Sequence, residues 1–141
     1  ARICAEERGI QISSTRTQAV QRGFANTLEV HLITSTGEHR VMGSVFSDQE
    51  GRFIEVDGVR LEALPKGCLL YVQNYDQPGV IGHLGTVLGQ AQINISQMHL
   101  ALEPSGGKAC SIIHVDRHVP SSVIQQLQSG HVIQVRQVLL D

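Results

Sequence analysis

The chain has 141 residues, of which 41% are hydrophobic and 17% charged, so it can bury one modest core or two small ones. It contains no Trp, only three Phe and two Tyr, and a net charge of -2 with interleaved signs, which argues against nucleic acids and anionic membranes as partners. No apolar run approaches the roughly 20 residues of a membrane span, and no signal-peptide pattern opens the chain, so we expect a soluble, cytoplasmic protein.

The cysteines and the closest histidine pair give no pattern of a metal or disulfide site. Cys4, Cys68 and Cys110 are far apart and have no C-x-x-C spacing, so we expect three buried thiols. His114 and His118 are four residues apart, but a strand end and the following loop do not place them on one helical face. We therefore expect no metal and no cofactor in this chain.

The first half of the chain predicts a small antiparallel sheet preceded by a helix. Residues 1–8 form a helical pattern that ends at Gly9, because glycine tolerates the left-handed conformation. Residues 10–26 lack periodicity and predict an irregular connection. Apolar residues then alternate through residues 27–45, which predicts a hairpin. Asp57-Gly58 predicts a second, two-residue hairpin, because both turn positions need positive φ.

The second half has a different pattern, and the breaker cluster Leu64-Pro65-Lys66-Gly67 separates the two. We therefore predict two domains, residues 1–66 and 67–141. The order of elements in the second is strand, helix, strand, strand, helix, strand, a split βαβ plan of the ferredoxin-like kind, so the fold class is α+β. These elements are predicted at residues 68–73, from Pro78, at 93–102 with a bulge near Ser96 or Gln97, at 109–115, at 120–129 and at 132–140.

Polar residues gather just before the first helix of this second domain, in the stretch Asn74-Tyr75-Asp76-Gln77-Pro78-Gly79-Val80-Ile81-Gly82. The first amides of a helix lack intrahelical partners and its dipole is positive there, so an anion is favoured. Asp76 would face an ammonium group, and Asn94, at the start of the next strand, could lean over the same pocket. A zwitterion fits such a place. The alternative is that Asp76 only caps the helix and Asn94 only occupies a turn.

Other signals in the sequence point to structure before chemistry. Gly79, Gly82 and Gly85 lack the spacing of the dinucleotide fingerprint and predict close helix packing. No Rossmann unit, catalytic triad or paired carboxylates are recognisable. Six arginines of the first half could gather around a phosphate or carboxylate, although a solvated face is the ordinary interpretation; they are Arg8, Arg16, Arg22, Arg40, Arg52 and Arg60.

Two resemblances follow from these motifs. Residues 68–141 resemble an ACT domain, the βαββαβ module that senses amino acids, through Asp76-x-Pro78-Gly79-Val80 followed by Ile93-Asn94-Ile95. Residues 1–66 resemble the intervening, or allosteric substrate-binding, domain that precedes the ACT domain in one class of D-3-phosphoglycerate dehydrogenase. The motifs carrying that second resemblance are Glu6-Glu7-Arg8-Gly9-Ile10, Gly43-x-Val45-Phe46 and Asp57-Gly58.

The resemblance implies a regulatory fragment of an enzyme that opens serine synthesis. Because the chain begins directly in a helical pattern, we expect the NAD-binding and catalytic domains to lie upstream, with NAD as the parent's cofactor and no catalytic residue here. In that family the ACT site lies between two subunits and binds L-serine or a similar amino acid as feedback inhibitor, which implies a homo-oligomer. The implied effector-binding residues are Asn74, Asp76, Pro78, Gly79, Val80, Ile81 and Asn94.

Two alternatives stay open at this point. The chain could be the related region of an iron–sulfur L-serine dehydratase, which pairs the same kind of first domain with an ACT domain. It could also be a free-standing amino-acid sensor that acts through protein contacts alone. The passage Val115-Asp116-x-x-Val119-Pro120 before the second helix favours the dehydrogenase.

Overall fold

Two four-stranded antiparallel sheets follow one another along the chain in the computed structural model, which describes residues 2–16, 24 and 26–140. The predicted α+β class is confirmed. The first part contains α1 (Arg2–Glu7), β1 (Thr27–Thr34), β2 (Gly37–Val45), β3 (Gly51–Val56) and β4 (Val59–Ala63). The second contains β5 (Gly67–Tyr75), α2 (Val80–Gln90), β6 (Ile95–Leu102), β7 (Lys108–Val115), α3 (Ser121–Leu127) and β8 (Val132–Leu140).

The first sheet is a meander in the order β1-β2-β3-β4, joined by tight turns. Val56 pairs with Val59 across the turn, where Asp57 and Gly58 have φ values of 48° and 83°. The predicted two-residue hairpin is confirmed. The Asp57 carboxylate accepts a hydrogen bond of 2.7 Å from the backbone N–H of Arg40, which fixes the turn against β2.

The N-terminal helix α1 ends as predicted, with Gly9 at φ 68° and its N–H donating to the carbonyl of Glu6 at 3.0 Å. Of the predicted irregular connection, residues 10–16 carry no regular structure, and residues 17–23 and 25 lie outside the described part. Cys4 on this helix is exposed, so the expectation of three buried thiols is wrong for Cys4 and right for the other two cysteines. The reason is that a six-residue helix with Ile3 72% exposed has little to pack against.

The second sheet has the order β6-β7-β5-β8, and α2 and α3 cover one of its faces. The βαββαβ order and the bulge between Ile95 and Gln97 are confirmed. Helix α2 turns its apolar positions inward because they recur every three to four residues, and each fully buried leucine contributes about 1.5–3 kcal/mol. The largest fully buried side chains in the core between the second sheet and its two helices are Leu70, Leu84, Leu88, Ile113 and Leu127. No helix in the described residues is long and apolar enough to cross a bilayer.

The uncovered face of the second sheet packs against the first sheet. Ala63, Leu69 and Ile112 are buried at this junction, and Phe53 and Leu61 pack around them. The connecting segment also takes part, because a ring nitrogen of buried His114 lies 2.9 Å from the carbonyl oxygen of Leu64. The predicted boundary at residues 66 and 67 falls where the chain passes between the sheets, and the independence of the two domains stays a prediction.

Candidate functional site

A buried amide marks the end of β5. Asn74 is 2% exposed, and its Nδ2 donates to the carbonyl of Tyr75 at 2.7 Å. Its Oδ1 is buried and has no hydrogen-bond partner among the described residues. Leaving a buried acceptor unsatisfied costs about 1–3 kcal/mol, so such an atom needs an explanation. One explanation is a hydrogen-bond donor on a ligand or on another chain that binds next to Asn74.

The start of α2 lies just beyond Asn74 and has no side-chain cap. Gly79 is the N-cap residue with φ 92°, a left-handed conformation that glycine adopts at little cost. The N–H of Val80 donates only at 3.5 Å to the carbonyl of Gln77, and apart from the neighbouring residues of the chain no heavy atom lies within 4 Å of where a Cβ would be at Gly79. The helix therefore presents weakly satisfied amides to open space, which is the arrangement that suits an anion.

Asp76 does not cap this helix, so the capping alternative is wrong for this residue. Its backbone N–H donates to the carbonyl of Gly107 at 3.0 Å, which ties it to the turn before β7. Its side chain is exposed, and within the described part of the chain its carboxylate makes no hydrogen bond. The carboxylate is thus available to a cationic group.

Asn94 lies at the opposite end of the sheet from Asn74. Asn74 pairs with Ala109 at the start of β7, whereas Ile95 pairs with Val115 at its end. Six residue steps of strand separate these positions by about 20 Å. The expectation that Asn94 leans over the Asp76 pocket is therefore wrong within one copy, because β6 runs antiparallel to β7 and starts at the far edge.

Asn94 is held by hydrogen bonds of its backbone, and its side chain is exposed. The Asn94 N–H donates to Oδ1 of Asp116 at 3.0 Å, and the Asp116 N–H donates back to the Asn94 carbonyl at 3.1 Å. The hydrogen bond from the Arg117 side chain, and then the one from the Asn94 backbone N–H, hold the pKa of the Asp116 carboxyl below its usual range. The two hydrogen bonds between Asn94 and Asp116 fix the start of β6 through the backbone of Asn94 and do not use its side-chain amide.

A cavity of about 300 Å³ lies at the start of α2, where the predicted site residues Pro78, Gly79 and Val80 meet residues that were not predicted from the sequence. His83 lies there with its Nε2 3.1 Å from the Ser129 hydroxyl oxygen and 3.3 Å from the carbonyl of Leu127. These residues meet only because β5 pairs with β8, which no local pattern reveals. The cavity is lined by Pro78, Gly79, Val80, His83, Ser129, Gly130, His131 and Val132.

The glycines of α2 do not serve packing inside the chain. Gly82, Gly85 and Gly89 lie on the exposed side of the helix, and outside the helix's own nearby backbone a Cβ at any of them would meet no heavy atom within 4 Å. The prediction of close helix packing is wrong within one copy, because α3 packs on the other side, near Leu84 and Val87.

The arginines of the first half are partly occupied by carboxylates. Arg52 forms hydrogen bonds with Asp48 and Glu62, and Arg40 lies 3.6 Å from a carboxylate oxygen of buried Glu55. Arg22 lies outside the described residues. Two of the six arginines are therefore engaged by acidic side chains, which weakens the hypothesis of a common anion site. In the described part of the chain no three His, Cys, Asp or Glu side chains group as metal ligands.

Comparison with known proteins gives one consistent result. Residues 1–57 match the family described as the D-3-phosphoglycerate dehydrogenase intervening domain. The D-3-phosphoglycerate dehydrogenase of Bacillus subtilis is 30% identical over 87% of this chain, and those of Synechocystis and Methanocaldococcus jannaschii are 29% and 26% identical over 90% and 91%. The chain spans 23% to 24% of these relatives' length. The predicted resemblance to D-3-phosphoglycerate dehydrogenase is confirmed: the chain is similar to these enzymes along most of its length, and residues 1–57 match their intervening domain, whereas the ACT assignment of the second domain stays a prediction.

Proposed function

We propose that this chain is the effector-binding part of a D-3-phosphoglycerate dehydrogenase, and that its second domain is an ACT domain that binds L-serine or a similar amino acid. The parent enzyme would carry out the NAD-dependent first step of serine synthesis in the cytoplasm with domains outside this chain. The observation that supports the proposal most is the buried, unpartnered Oδ1 of Asn74 beside the uncapped start of α2. The relatives described above are D-3-phosphoglycerate dehydrogenases, which favours this parent over a dehydratase or a free-standing sensor.

An amino acid would use both charges of the site. Its carboxylate would accept from the amides of Val80 and Ile81, which the open surroundings of Gly79 leave approachable. Its ammonium group would donate to the Asp76 carboxylate, and a further donor could satisfy the Oδ1 of Asn74. Each component alone occurs in ordinary helix starts, but their combination matches the two poles of a zwitterion.

The site would be completed by a second copy of the chain. β6 is an edge strand, and Leu100 and Leu102 on it are 46% and 54% exposed. If two copies pair their β6 strands antiparallel about a two-fold axis, the start of one β6 lies beside the end of the other. Leu102 neighbours Ala109, which neighbours Asn74, so the partner's Asn94 would come to the Asp76 edge.

The glycine side of α2 fits the same assembly. Gly82, Gly85 and Gly89 each lower the stability of an exposed helix by up to about 1 kcal/mol relative to alanine. Such a cost is offset where another backbone approaches closely, as it would if α2 of a second copy lay beside this helix. The catalytic domains of the same chain would be the remaining protein partner.

The proposal is tested by titrating the chain with L-serine, D-serine, glycine and L-alanine in a calorimeter, beside sedimentation at tens of micromolar. We expect one L-amino acid to bind preferentially and the chain to sediment as a dimer or larger species. D-Serine is the matched control, because it has the same functional groups as L-serine with the opposite configuration at Cα. A monomer that binds none of the four amino acids would overturn the proposal.

A further inference from the structure

The outer edge of the first sheet is open to another strand. In the described part of the chain β1 pairs with β2 alone, through eight consecutive residue pairs without a register shift. The β2–β3 and β3–β4 pairings, by contrast, each contain an irregularity. β1 contains neither proline nor lysine, the two residues that commonly blunt an exposed edge. Its outward N–H and C=O groups therefore form a regular row that a further strand can join.

One face of β1 is an exposed apolar stripe, formed by Leu28, Val30 and Leu32, which are 71%, 58% and 49% exposed. Val30 pairs with Val41 on β2, Val41 pairs with Val56 on β3, and Val56 packs at the buried junction between the sheets. The apolar stripe therefore continues the face that the second sheet covers at β3 and β4. Neighbouring apolar side chains left exposed in this way favour contact with another molecule.

The sequence of β1 is complementary to itself when two copies run antiparallel. Because side chains alternate between the faces, the two apolar stripes meet only if residues of the same face lie opposite each other. With Val30 opposite its own counterpart, Leu28 lies opposite the partner's Leu32 on the apolar face. On the other face Glu29 lies opposite the partner's His31, so an acidic and a basic side chain meet twice in the symmetric pair.

The neighbouring registers are less favourable. A pair centred on Glu29 sets two carboxylates opposite each other, and a pair centred on His31 sets Glu29 opposite the apolar Ile33. The charge pattern also continues into β2, because Arg40 lies 3.6 Å from a Glu29 carboxylate oxygen and Nε2 of His31 lies 3.2 Å from a Glu38 carboxylate oxygen. Basic and acidic side chains therefore alternate across the polar face of the pair only in the register centred between these two residues.

We propose that β1 is a contact surface between two copies of this chain, with Val30 on the two-fold axis. The contact joins two four-stranded sheets into one continuous sheet, brings the two apolar stripes side by side and pairs the outward backbone groups of both edges. It lies in the first domain and does not depend on the effector site or on the β6 edge. A chain that pairs through both β1 and β6 forms species larger than a dimer.

Sedimentation of the 141-residue chain at tens of micromolar tests the contact. Val30→Lys places two like charges opposite each other at the axis and should reduce the sedimenting mass by about half or more, whether or not β6 also pairs. Ile3→Lys is the matched control, because Ile3 on α1 is an apolar residue that is 72% exposed, and it should leave the mass unchanged. Denaturant melts of both variants check that the fold is kept.

Two results of this experiment would overturn the proposal. A wild-type chain that sediments as a monomer would assign the apolar stripe to a different protein. Equal masses of the wild type and Val30→Lys would place self-association at another surface of the chain.

Disulfide cross-linking tests the register with a milder change, in a Cys4→Ser background that leaves only the two buried cysteines. Val30→Cys should cross-link to its own counterpart under mild oxidation, because the two side chains lie opposite each other. Leu28→Cys alone should cross-link at least about tenfold more slowly, since its counterpart lies four residue steps, about 13 Å, away. A mixture of Leu28→Cys and Leu32→Cys should cross-link readily. Equal cross-linking of Val30→Cys and Leu28→Cys, or none in either, would also overturn the proposal.

Discussion

If two copies of the chain share each effector site, two inactive variants should restore binding when they are mixed, which a site within one copy cannot do. Asp76→Ala and Asn94→Ala should each abolish tight binding of L-serine, yet an equal mixture of the two variants should recover part of it. In a mixed dimer, one site contains both altered positions and the other contains an intact Asp76 from one copy and an intact Asn94 from the other. Random exchange gives about half mixed dimers, so about a quarter of all sites should regain wild-type affinity.

The size of each single loss follows from the contacts. Removing the Asp76 carboxylate takes a charged partner from a partly buried ammonium, which costs about 2–4 kcal/mol, or roughly 30-fold to 1,000-fold in affinity. Its side chain neither caps α2 nor is buried, so the free energy of unfolding should change by less than about 0.5 kcal/mol. Asn94→Ala keeps both backbone bonds to Asp116, and its loss should be about 1.5–3 kcal/mol of binding alone.

The assay is calorimetric titration of each variant and of the mixture after exchange, with denaturant unfolding of every sample. Ser129→Ala is the matched control, because Ser129 lines the cavity on the α3 side of the same helix start. We expect this control to bind as the wild type does. If mixed dimers form, as native mass spectrometry would show, and no binding returns, the shared site is refuted. If Ser129→Ala weakens binding and Asn94→Ala does not, the ligand occupies the cavity within one copy.

Three further predictions concern the fold around the site. Gly79→Ala should lower the free energy of unfolding by about 1 kcal/mol in denaturant melts, because φ is 92° at Gly79. Gly82→Ala should raise the free energy of unfolding of the monomer slightly and weaken self-association in sedimentation. Equal effects of the two variants on stability would contradict the different roles given to these glycines. Leu88→Ala should cost about 2–5 kcal/mol, because Leu88 is fully buried, and a loss under 1 kcal/mol in the same melts would contradict that packing. Burial raises the pKa of the Cys110 thiol to about 11, so at pH 8 iodoacetamide should modify Cys4 well before Cys110; comparable rates by mass spectrometry would show that the junction is open.

Local chemistry made much of this fold predictable. The Asp57-Gly58 turn needs positive φ at both positions, and the structure has it, because only a mirror-image turn matches the twist of the flanking strands. The change of apolar parity before Met98 predicted the bulge in β6, since one extra residue moves every later side chain to the other face. These features depend on a few neighbouring residues and so can be read from the sequence.

Features that depend on strand order and direction were not predictable in this way. The separation of Asn94 from Asp76 follows from the antiparallel pairing of β6 with β7 and of β7 with β5, which no window of sequence contains. The meeting of His83 with Ser129 depends likewise on β5 lying beside β8. The spacing of the glycines around α2 predicts close helix packing, but which side of the helix faces the core is decided by the larger apolar residues between them.

β6 connects the proposed effector site with the junction between the sheets. Its first residues are fixed by Asn94 and Asp116, its free edge is the side on which a second copy would pair, and β4 of the first sheet lies against it. A strand moves as a unit along its hydrogen bonds, so a ligand that orders the β6 edge would also favour one position of β6 against β4. Effector binding and junction closure should therefore be thermodynamically linked. If L-serine binds, a saturating concentration should slow the modification of Cys110 by iodoacetamide at pH 8 in the wild type, and an unchanged rate would show that β6 does not couple the two sites.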